Sequence, residues 1–278
     1  MKKRGFTLAE VLITLGIVGV VAALTAPALI MSSRNEANAA RLSVVVSNLE
    51  NAFQTAIAQE GADNLYGTSL WDFDGEKELT SEKGDVAKFV GRLGQYMIIN
   101  GYKKSDGEFY DSIPTCPMSE SGGTNNAACK NGESWRFGGD GKMFAIETKN
   151  GAAIFMRAFR KTGLADAKAK AIAKGSSYYT NAADIVIDVN GKNAPNTYGR
   201  DIFWFELGEN GVMYPLGGKD VASGSWTDAE TGKEVSHGTW DKEGGAASCT
   251  DGDKGNIVSN RGTGCTARVI AEGYKINY

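Results

Sequence analysis

A single carboxylate near the start of the chain stands at the edge of a long apolar segment. Glu10 follows three basic residues at 2–4 and precedes an uncharged apolar run over 11–31. That run of about 21 residues is long enough to cross a bilayer as one helix. An ionised side chain costs roughly 2.5–3.5 kcal/mol at the centre of a membrane helix on insertion scales. Glu10 is therefore predicted to have a function there and to need a cationic partner.

This N-terminus resembles the type IV prepilin signal, which type IV pilins share with the pseudopilins of type II secretion systems. The residues that match it, including a proline within the apolar helix, are Gly5, Phe6, Thr7, Leu8, Glu10 and Pro27. The resemblance implies that a prepilin peptidase cleaves after Gly5 and methylates the new N-terminal amine on Phe6. It also implies that the apolar helix is kept, as a membrane anchor before assembly and as filament core afterwards.

Two other interpretations of the apolar segment fit the sequence less well. A secretory signal is cut after its apolar core, and no Ala-x-Ala site stands where such a cut would be expected. An uncleaved single-pass anchor would leave Glu10 without a partner in lipid. The basic residues at 2–4 favour a cytoplasmic N-terminus, so the chain from about Ser32 onward is expected to be exported.

The resemblance also implies where the chain resides and which proteins it meets. It would be a single-pass protein of the bacterial inner membrane, with its C-terminal head in the periplasm or outside the cell. Its partners would be the prepilin peptidase, an inner-membrane assembly platform, and other pilin or pseudopilin subunits. In the family, the residue at Glu10 pairs with the Phe6 amine of an adjacent subunit. The two residues are four apart, so pairing within one helix is the alternative.

The composition argues against nucleic-acid binding and against catalysis. The formal charge is −3, and loss of a leader with three positive charges would leave the mature chain near −6. Nucleic-acid binding needs a basic surface, so no nucleic-acid partner is expected. His237 is the only histidine, and no Gly-x-Ser-x-Gly or phosphate-loop motif is present. We therefore expect a structural protein without a cofactor rather than an enzyme.

The four cysteines predict disulfides in an exported domain. They are Cys116, Cys129, Cys249 and Cys265, and four cysteines allow three pairings. The two local pairs, 116–129 and 249–265, are favoured, and each would stabilise the fold by roughly 3 kcal/mol. Free buried thiols are the alternative. The sequence has no Cys-x-x-C pair, which argues against zinc.

One segment rich in Asp and Asn offers the side-chain oxygens that calcium prefers. The candidate ligands are Asp188, Asn190 and Asp201, with Asn193 and Asn196 between them. No bidentate Glu stands at an EF-hand spacing, and Asn and Asp also stabilise turns through their own side chains. Turn structure is therefore the preferred interpretation of this segment, and calcium is the alternative.

The element that must position Glu10 is predicted to be a helix that continues past the membrane. Apolar residues recur at three- and four-residue intervals from Leu42 to Ile57, which makes one helical face to bury against a head. Gly61 is a natural C-cap, so one helix over 6–60 is expected. Pro27 removes a backbone hydrogen bond. It could bend the helix on assembly or could simply be tolerated in the membrane.

The remaining chain is predicted to form mainly antiparallel strands. The strongest hairpin signal is Asn150-Gly151 between apolar runs at 143–148 and 152–159. Further strands are expected at 185–189, 202–207, 212–214 and, as the closing strand, 268–278. A short helix is expected over 85–96 with Thr80 or Ser81 as its cap, another helix over 165–174, and irregular structure over 102–141.

These elements predict an α+β fold of the type IV pilin-like kind, in which a long N-terminal helix packs on an antiparallel sheet with long loops. The expected parts are a leader (1–5), a membrane half of the helix (6–31), an amphipathic half (32–61) and an exported head (62–278). The expected function is that of a structural subunit of a type II secretion pseudopilus or a related type IV pilus-like filament. A minor pilin that acts as an adhesin or DNA-uptake module is the alternative.

Overall fold

The computed structural model describes residues 7–105, 109, 143–160, 181–193, 196–218, 225–227, 234–236, 240–241, 249–251, 257–258 and 264–278. A long N-terminal helix is followed by an antiparallel sheet with two shorter helices around it. This arrangement confirms the predicted α+β class and fits the type IV pilin-like layout. The expected helix over 165–174 lies outside the described residues.

The long helix α1 runs over Leu8–Glu60, 53 residues, and both of its ends have a local stop signal. Thr7 is the N-cap and forms a capping box with Glu10. Gly61 ends the helix in the left-handed conformation, with φ 62°, and its N–H donates to the carbonyl of Ala58. Pro27 lies within the helix, which continues on both sides of it.

The second half of α1 buries one apolar face against the head. Leu42, Leu49 and Phe53 are fully buried. The other buried residues of this face are Ala39, Val45, Val46, Ala52 and Ala56. Phe53 also contacts the ring of Trp71 edge to face, at 5.9 Å between centroids. The apolar helix face predicted from the sequence is therefore the surface through which α1 contacts the head.

The main sheet is antiparallel and has seven strands within the described residues: β1 (Glu78–Leu79), β2 (Ile99–Lys103), β3 (Phe144–Thr148), β4 (Ala153–Phe159), β5 (Asn181–Asp188), β6 (Ile202–Gly208) and β7 (Met213–Pro215). Their order in the sheet is β2-β3-β4-β5-β6-β7, and β1 also pairs with β4. The hairpin predicted around Asn150-Gly151 is confirmed as β3–β4, with Ile146 opposite Ile154. Strand β2 was not predicted.

Two short antiparallel pairs lie outside the main sheet. Strand β8 (Ser225–Thr227) pairs with β9 (Glu234–Ser236), and β10 (Thr250–Asp251) pairs with β11 (Ile257–Val258).

The helix α2 (Val86–Leu93) begins within one residue of its predicted start at 85 and ends before 96, but the predicted cap at Thr80 or Ser81 was wrong. The cap is Asp85, whose carboxylate accepts from the N–H of Lys88 at 3.0 Å. The hydroxyl of Thr80 instead closes the preceding turn, where it accepts from the N–H groups of Glu82 and Lys83. Asp85, which directly precedes the helix, is therefore the N-cap instead of the predicted Thr80 or Ser81.

The predicted closing strand over 268–278 was also wrong, because the chain ends in the helix α3 (Cys265–Ala271) and an irregular tail. Thr266 in α3 accepts the N–H of Trp204 in β6 at 2.8 Å. A Cβ added at Gly217 would lie only 2.5 Å from the carbonyl oxygen of Gly264, so the two backbone segments are in close contact. The end of the chain therefore packs across the sheet as a helix rather than extending it.

Candidate functional site

The first half of α1 exposes apolar side chains to the surroundings. Leu12, Leu15 and Leu24 are 62%, 64% and 75% exposed. Within the described part of the chain, α1 is the one helix long and apolar enough to cross a membrane, and none of its most apolar window is buried. Soluble monomers rarely expose contiguous apolar surface of more than a few hundred Å². This half of the helix therefore requires lipid or other chains around it.

The carboxylate of Glu10 lies at the N-terminal end of this apolar half and is held by Thr7. Its Oε2 accepts from the backbone N–H and from the hydroxyl of Thr7, both at 2.8 Å. The N–H of Glu10 in turn donates to the Thr7 hydroxyl at 3.2 Å. These bonds satisfy helix N–H groups and place a negative charge at the positive end of the helix dipole. Gly5 and Phe6, the predicted processing residues, lie outside the described residues.

The other polar groups of the apolar half are satisfied inside the helix. Thr14 donates its hydroxyl to the carbonyl of Glu10, and Thr25 donates to Val21, each at 2.9 Å. Such back-bonding removes the cost of a hydroxyl in hydrocarbon. A Cβ added at Gly16 or Gly19 would meet no atom within 4 Å, so no packing inside the described chain requires these glycines. The surface is thus compatible with lipid or with close approach of another helix.

The head first meets α1 at two asparagines just past the apolar half. The Nδ2 of Asn35 donates to the carbonyl of Ile276 at 3.0 Å, and that of Asn38 donates to the carbonyl of Arg200 at 3.2 Å. Sequence analysis missed both residues. The available signal was their spacing of three, which puts them on one helical face at the start of the apolar stripe.

Two carboxylates fix α1 to the head farther along. Glu50 accepts the N–H of Met213 at the start of β7, at 2.9 Å. Glu60, at the end of the helix, accepts the N–H of Ser69 at 2.6 Å and the hydroxyl of Tyr96 at 3.1 Å. The exposed half therefore projects from a helix that is anchored in the head over its whole second half.

The last residue of the chain closes the base of the head beside these asparagines. The phenol of Tyr278 donates to the carbonyl of Gly199 at 2.6 Å, and burial raises its pKa above the usual value. The guanidinium carbon of Arg268 lies 4.8 Å from the centre of the Tyr278 ring. The same Arg268 donates to the carbonyl of Cys249 at 2.9 Å. The tail thus connects α3 with the loop at Gly199 and Arg200, to which the side chain of Asn38 is also hydrogen-bonded.

One disulfide lies next to this tail. Cys249 and Cys265 are bonded and buried, with 5.0 Å between their Cα atoms. They pack with Trp240 and Tyr278. The structure therefore contains the local pair that was favoured for the C-terminal half. Cys116 and Cys129 lie outside the described residues, as does His237.

The calcium candidates form a buried turn between β5 and β6. Asp201 accepts the N–H groups of Asn196, at 3.0 Å, and of Thr197, and also the side-chain amide of Asn190 at 3.1 Å. Asp188 accepts the backbone N–H of Asn190 at 3.1 Å. Burial raises the pKa of Asp201 to about 6 although these bonds oppose it.

The carboxylates of Asp188 and Asp201 accept hydrogen bonds from the turn itself, whereas the buried Oδ1 of Asn190 has no hydrogen-bond partner among the described residues. The described residues contain no group of three or more His, Cys, Asp or Glu arranged to hold a metal. The side-chain amide of Asn193 donates to the carbonyl of Asn190 at 2.7 Å, and that of Asn196 contacts the carbonyls of Gly191 and Asn193. These contacts are those of a turn stabilised by its own side chains, which is the interpretation that the sequence favoured over calcium.

Comparison with known proteins agrees with the N-terminal features. The model of the prokaryotic N-terminal methylation motif, the signal of type IV pilins and pseudopilins, matches residues 1–26. No curated protein and no solved structure matches the chain. The motif supports a precursor of the pilin or pseudopilin type, and with the apolar helix it fits an inner-membrane anchor. It implies processing by prepilin peptidase and assembly with other pilin subunits, and it points to a structural subunit rather than an enzyme.

Proposed function

We propose that this protein is a structural subunit that is stored in the inner membrane and then assembled into a type II secretion pseudopilus or a related type IV pilus-like filament. The observation that supports it best is the exposed apolar half of α1 with Glu10 capped at its N-terminal end. Prepilin peptidase would remove residues 1–5 by cleavage after Gly5 and methylate Phe6. The exported head over 62–278 would face the periplasm or the cell exterior.

The same surface serves both states of the subunit. In the membrane, lipid covers the apolar side chains of residues 8–31. In a filament, the same side chains pack against the anchor helices of neighbouring subunits. Because hydrocarbon and packed helices both exclude water, transfer between them needs no unfolding of α1. The head remains fixed to the helix through Asn35, Glu50 and Glu60.

Glu10 gives this transfer its selectivity. Its carboxylate accepts two hydrogen bonds from Thr7 through Oε2, so it is already oriented toward the N-terminal end of the helix. The amine of a processed neighbour, on Phe6, supplies the cation that a carboxylate in an apolar environment requires. In a filament core this pair would be desolvated, and loss of one partner would leave the other charge buried alone.

The test of the proposed function is filament assembly by Glu10→Ala in a host with prepilin peptidase. Removal of one partner from a buried ion pair costs about 3–5 kcal/mol, so filament yield should fall at least tenfold. Cleavage and membrane insertion should be unchanged. Glu10→Gln keeps an acceptor for Thr7 without the charge and should fail in the same way. Glu82→Ala, which removes an exposed carboxylate of the head, is the matched control.

Sheared filaments and total membranes are compared by immunoblot. Normal filament yield from Glu10→Ala contradicts the role of Glu10 in recruitment. Normal yield from Glu10→Gln together with failure of Glu10→Ala would assign the effect to helix capping instead of charge pairing. Loss of the protein from the membrane fraction would contradict the assignment of residues 8–31 as an anchor.

A further inference from the structure

The base of the head carries exposed basic side chains where α1 leaves it. Arg34 and Arg41 are exposed on the helix, and Lys275 is exposed on the C-terminal tail. We call these three residues the basal collar. The bond from Asn35 to the carbonyl of Ile276 places the tail against the same turn of α1 as Arg34. Two separate segments thus bring positive charge to one end of the head.

Arg34 and Lys275 lie at the depth of lipid headgroups when the apolar half spans a bilayer, and Arg41 lies farther from the bilayer, toward the head. Arg34 is three residues past Met31, which is a rise of about 5 Å along the helix. The headgroup region adds roughly 5–7 Å to each side of the hydrocarbon core. Lys275 is adjacent to Ile276, whose carbonyl is bonded to Asn35. Arg41 lies about 15 Å from Met31 along the helix, closer to the head.

Acidic groups offset only part of this charge. Glu36 is exposed on α1, and the terminal carboxylate of Tyr278 belongs to the same end. Glu272 is already paired with Arg268 at 2.9 Å, and Asp201 accepts hydrogen bonds from its own turn. The half-buried guanidinium of Arg200, over the ring of Tyr278, adds a further positive charge. Among the residues of this end that the structure describes, positive side chains therefore outnumber negative groups, on a chain whose net charge is −3.

None of the three basal-collar side chains has an ion-pair partner in the part of the chain that the structure describes. Exposed lysines and arginines near an anionic bilayer gain favourable interaction that fades within a Debye length of about 8–10 Å. The anchor fixes the distance between these groups and the bilayer, so the charges meet headgroups without further ordering cost.

We propose that Arg34 and Lys275 bind the phosphate groups of anionic phospholipids in the leaflet next to the head, and that Arg41 adds attraction over a longer range. The inference rests on the proposed membrane-stored subunit and adds a lipid partner to that state. The contacts hold the base of the head on the bilayer surface before assembly. Extraction of the subunit into a filament then breaks them, so membrane composition influences the stored state and not the packed one.

The test uses the mature full chain in lipid nanodiscs. It measures the rate at which an uncharged, amine-reactive reagent acetylates each lysine. Discs of phosphatidylcholine are compared with discs that also contain phosphatidylglycerol. Headgroup contact should slow acetylation of Lys275 about fivefold in the anionic discs, and high salt should remove the effect. Lys149 is the internal reference. It lines a groove beside Asn48, about 20 Å along α1 from Asn35, and its rate should not change.

Variants separate docking by the basal collar from a general surface effect. Arg34→Gln/Arg41→Gln should return Lys275 to within about twofold of its rate in neutral discs, because fewer charges hold the base down. Lys77→Gln/Lys103→Gln removes two exposed lysines elsewhere on the head and should keep the full effect.

Equal acetylation of Lys275 in neutral and anionic discs would overturn the proposal, and so would an effect that persists in Arg34→Gln/Arg41→Gln. The experiment contains no filament, so its outcome is independent of the Glu10 assembly test. Failure of the chain to enter discs of either composition would count against the membrane anchor instead.

Discussion

The hydroxyl of Tyr278 donates a 2.6 Å hydrogen bond to the backbone carbonyl of Gly199, 79 residues earlier in the chain. Gly199 precedes Arg200, whose carbonyl accepts the side-chain amide of Asn38 on α1. Tyr278 therefore supports the loop against which the long helix is docked. The stability of this junction should depend on one phenolic oxygen.

Tyr278→Phe should lower the free energy of unfolding by about 1–2 kcal/mol, because the ring packing remains while the Gly199 carbonyl loses its donor. Denaturant unfolding of the full chain in detergent, followed by circular dichroism, measures the change. Tyr102→Phe is the matched control, since Tyr102 is an exposed tyrosine on β2. A loss no larger than that of Tyr102→Phe would show that the Tyr278 hydroxyl does not support the junction.

Stability should rise as pH falls from 7 to 5, because burial raises the pKa of Asp201 to about 6. Between the unfolded pKa of about 3.9 and this value, the folded state holds a proton that the unfolded state lacks. Folding is therefore favoured below pH 6 and loses this advantage as pH rises through it. The expected gain from pH 7 to pH 5 is about 1 kcal/mol.

Asp201→Asn isolates that contribution, since an amide does not titrate. The variant should be less stable at every pH, because its NH₂ group faces backbone donors, but its stability should vary less between pH 5 and 7. Asp63→Asn, at the far end of α1, should keep the wild-type pH dependence. Equal slopes for wild type and Asp201→Asn would exclude the buried turn as the source.

Non-reducing peptide mapping of the protein purified from its native host should recover Cys249 linked to Cys265. The local pairing favoured from the sequence predicts that Cys116 is linked to Cys129. Loss of the bond in Cys249→Ser/Cys265→Ser should lower the free energy of unfolding by about 3 kcal/mol, as expected for a loop of this length. Recovery of a crossed pair or of alkylatable thiols would contradict the local pairing.

The mature protein should begin at Phe6 with a methylated amine. Intact-mass analysis should show loss of residues 1–5 and gain of one methyl group. A large side chain in place of Gly5 should block cleavage, because the peptidase is expected to need an unsubstituted backbone at the scissile bond. An intact leader on the wild-type chain in a host with prepilin peptidase would disprove the processing step.

Local signals were sufficient for the β3–β4 hairpin and for α1, apart from its start, which was expected at residue 6 and lies at Leu8 after the N-cap Thr7. An Asn-Gly turn between apolar runs contains its own turn geometry, and Gly151 indeed adopts a positive φ of 84°. The capping box of Thr7 and Glu10 and the stop at Gly61 are equally local. Each of these elements is determined by residues within a few positions of one another.

The end of the chain could not be predicted in this way, because distant contacts decide it. Residues 268–278 contain apolar side chains whose spacing suits a strand or a short helix. Val269 is buried in the core, and the N–H of Ala267 donates to Leu216 at 3.2 Å, contacts that need the folded sheet. The start of β5 at Asn181 was missed similarly, since its pairing with β6 outweighs a weak strand propensity.

The residues of the candidate site also fall into two groups: those that local sequence identifies and those that only distant contacts in the fold reveal. Glu10 was identified from sequence because a carboxylate beside an apolar run is rare and costly. Asn35 and Asn38 were not, because their spacing places them on one helical face but does not show whether that face meets solvent or backbone carbonyls. Only the fold brings Ile276 and Arg200 to them.

The side-by-side attachment of α1 also has a mechanical consequence. Its polar contacts are distributed from Asn35 through Glu50 to Glu60, over about 38 Å of helix, with the apolar face buried between them. A tensile force applied to the apolar half acts along the helix axis and loads these contacts in shear, all at once. A force perpendicular to the axis would instead peel them apart one after another, beginning at Asn35. A subunit withdrawn from a membrane by its own anchor would be pulled along this axis. That is the direction in which all the contacts between α1 and the head share the load.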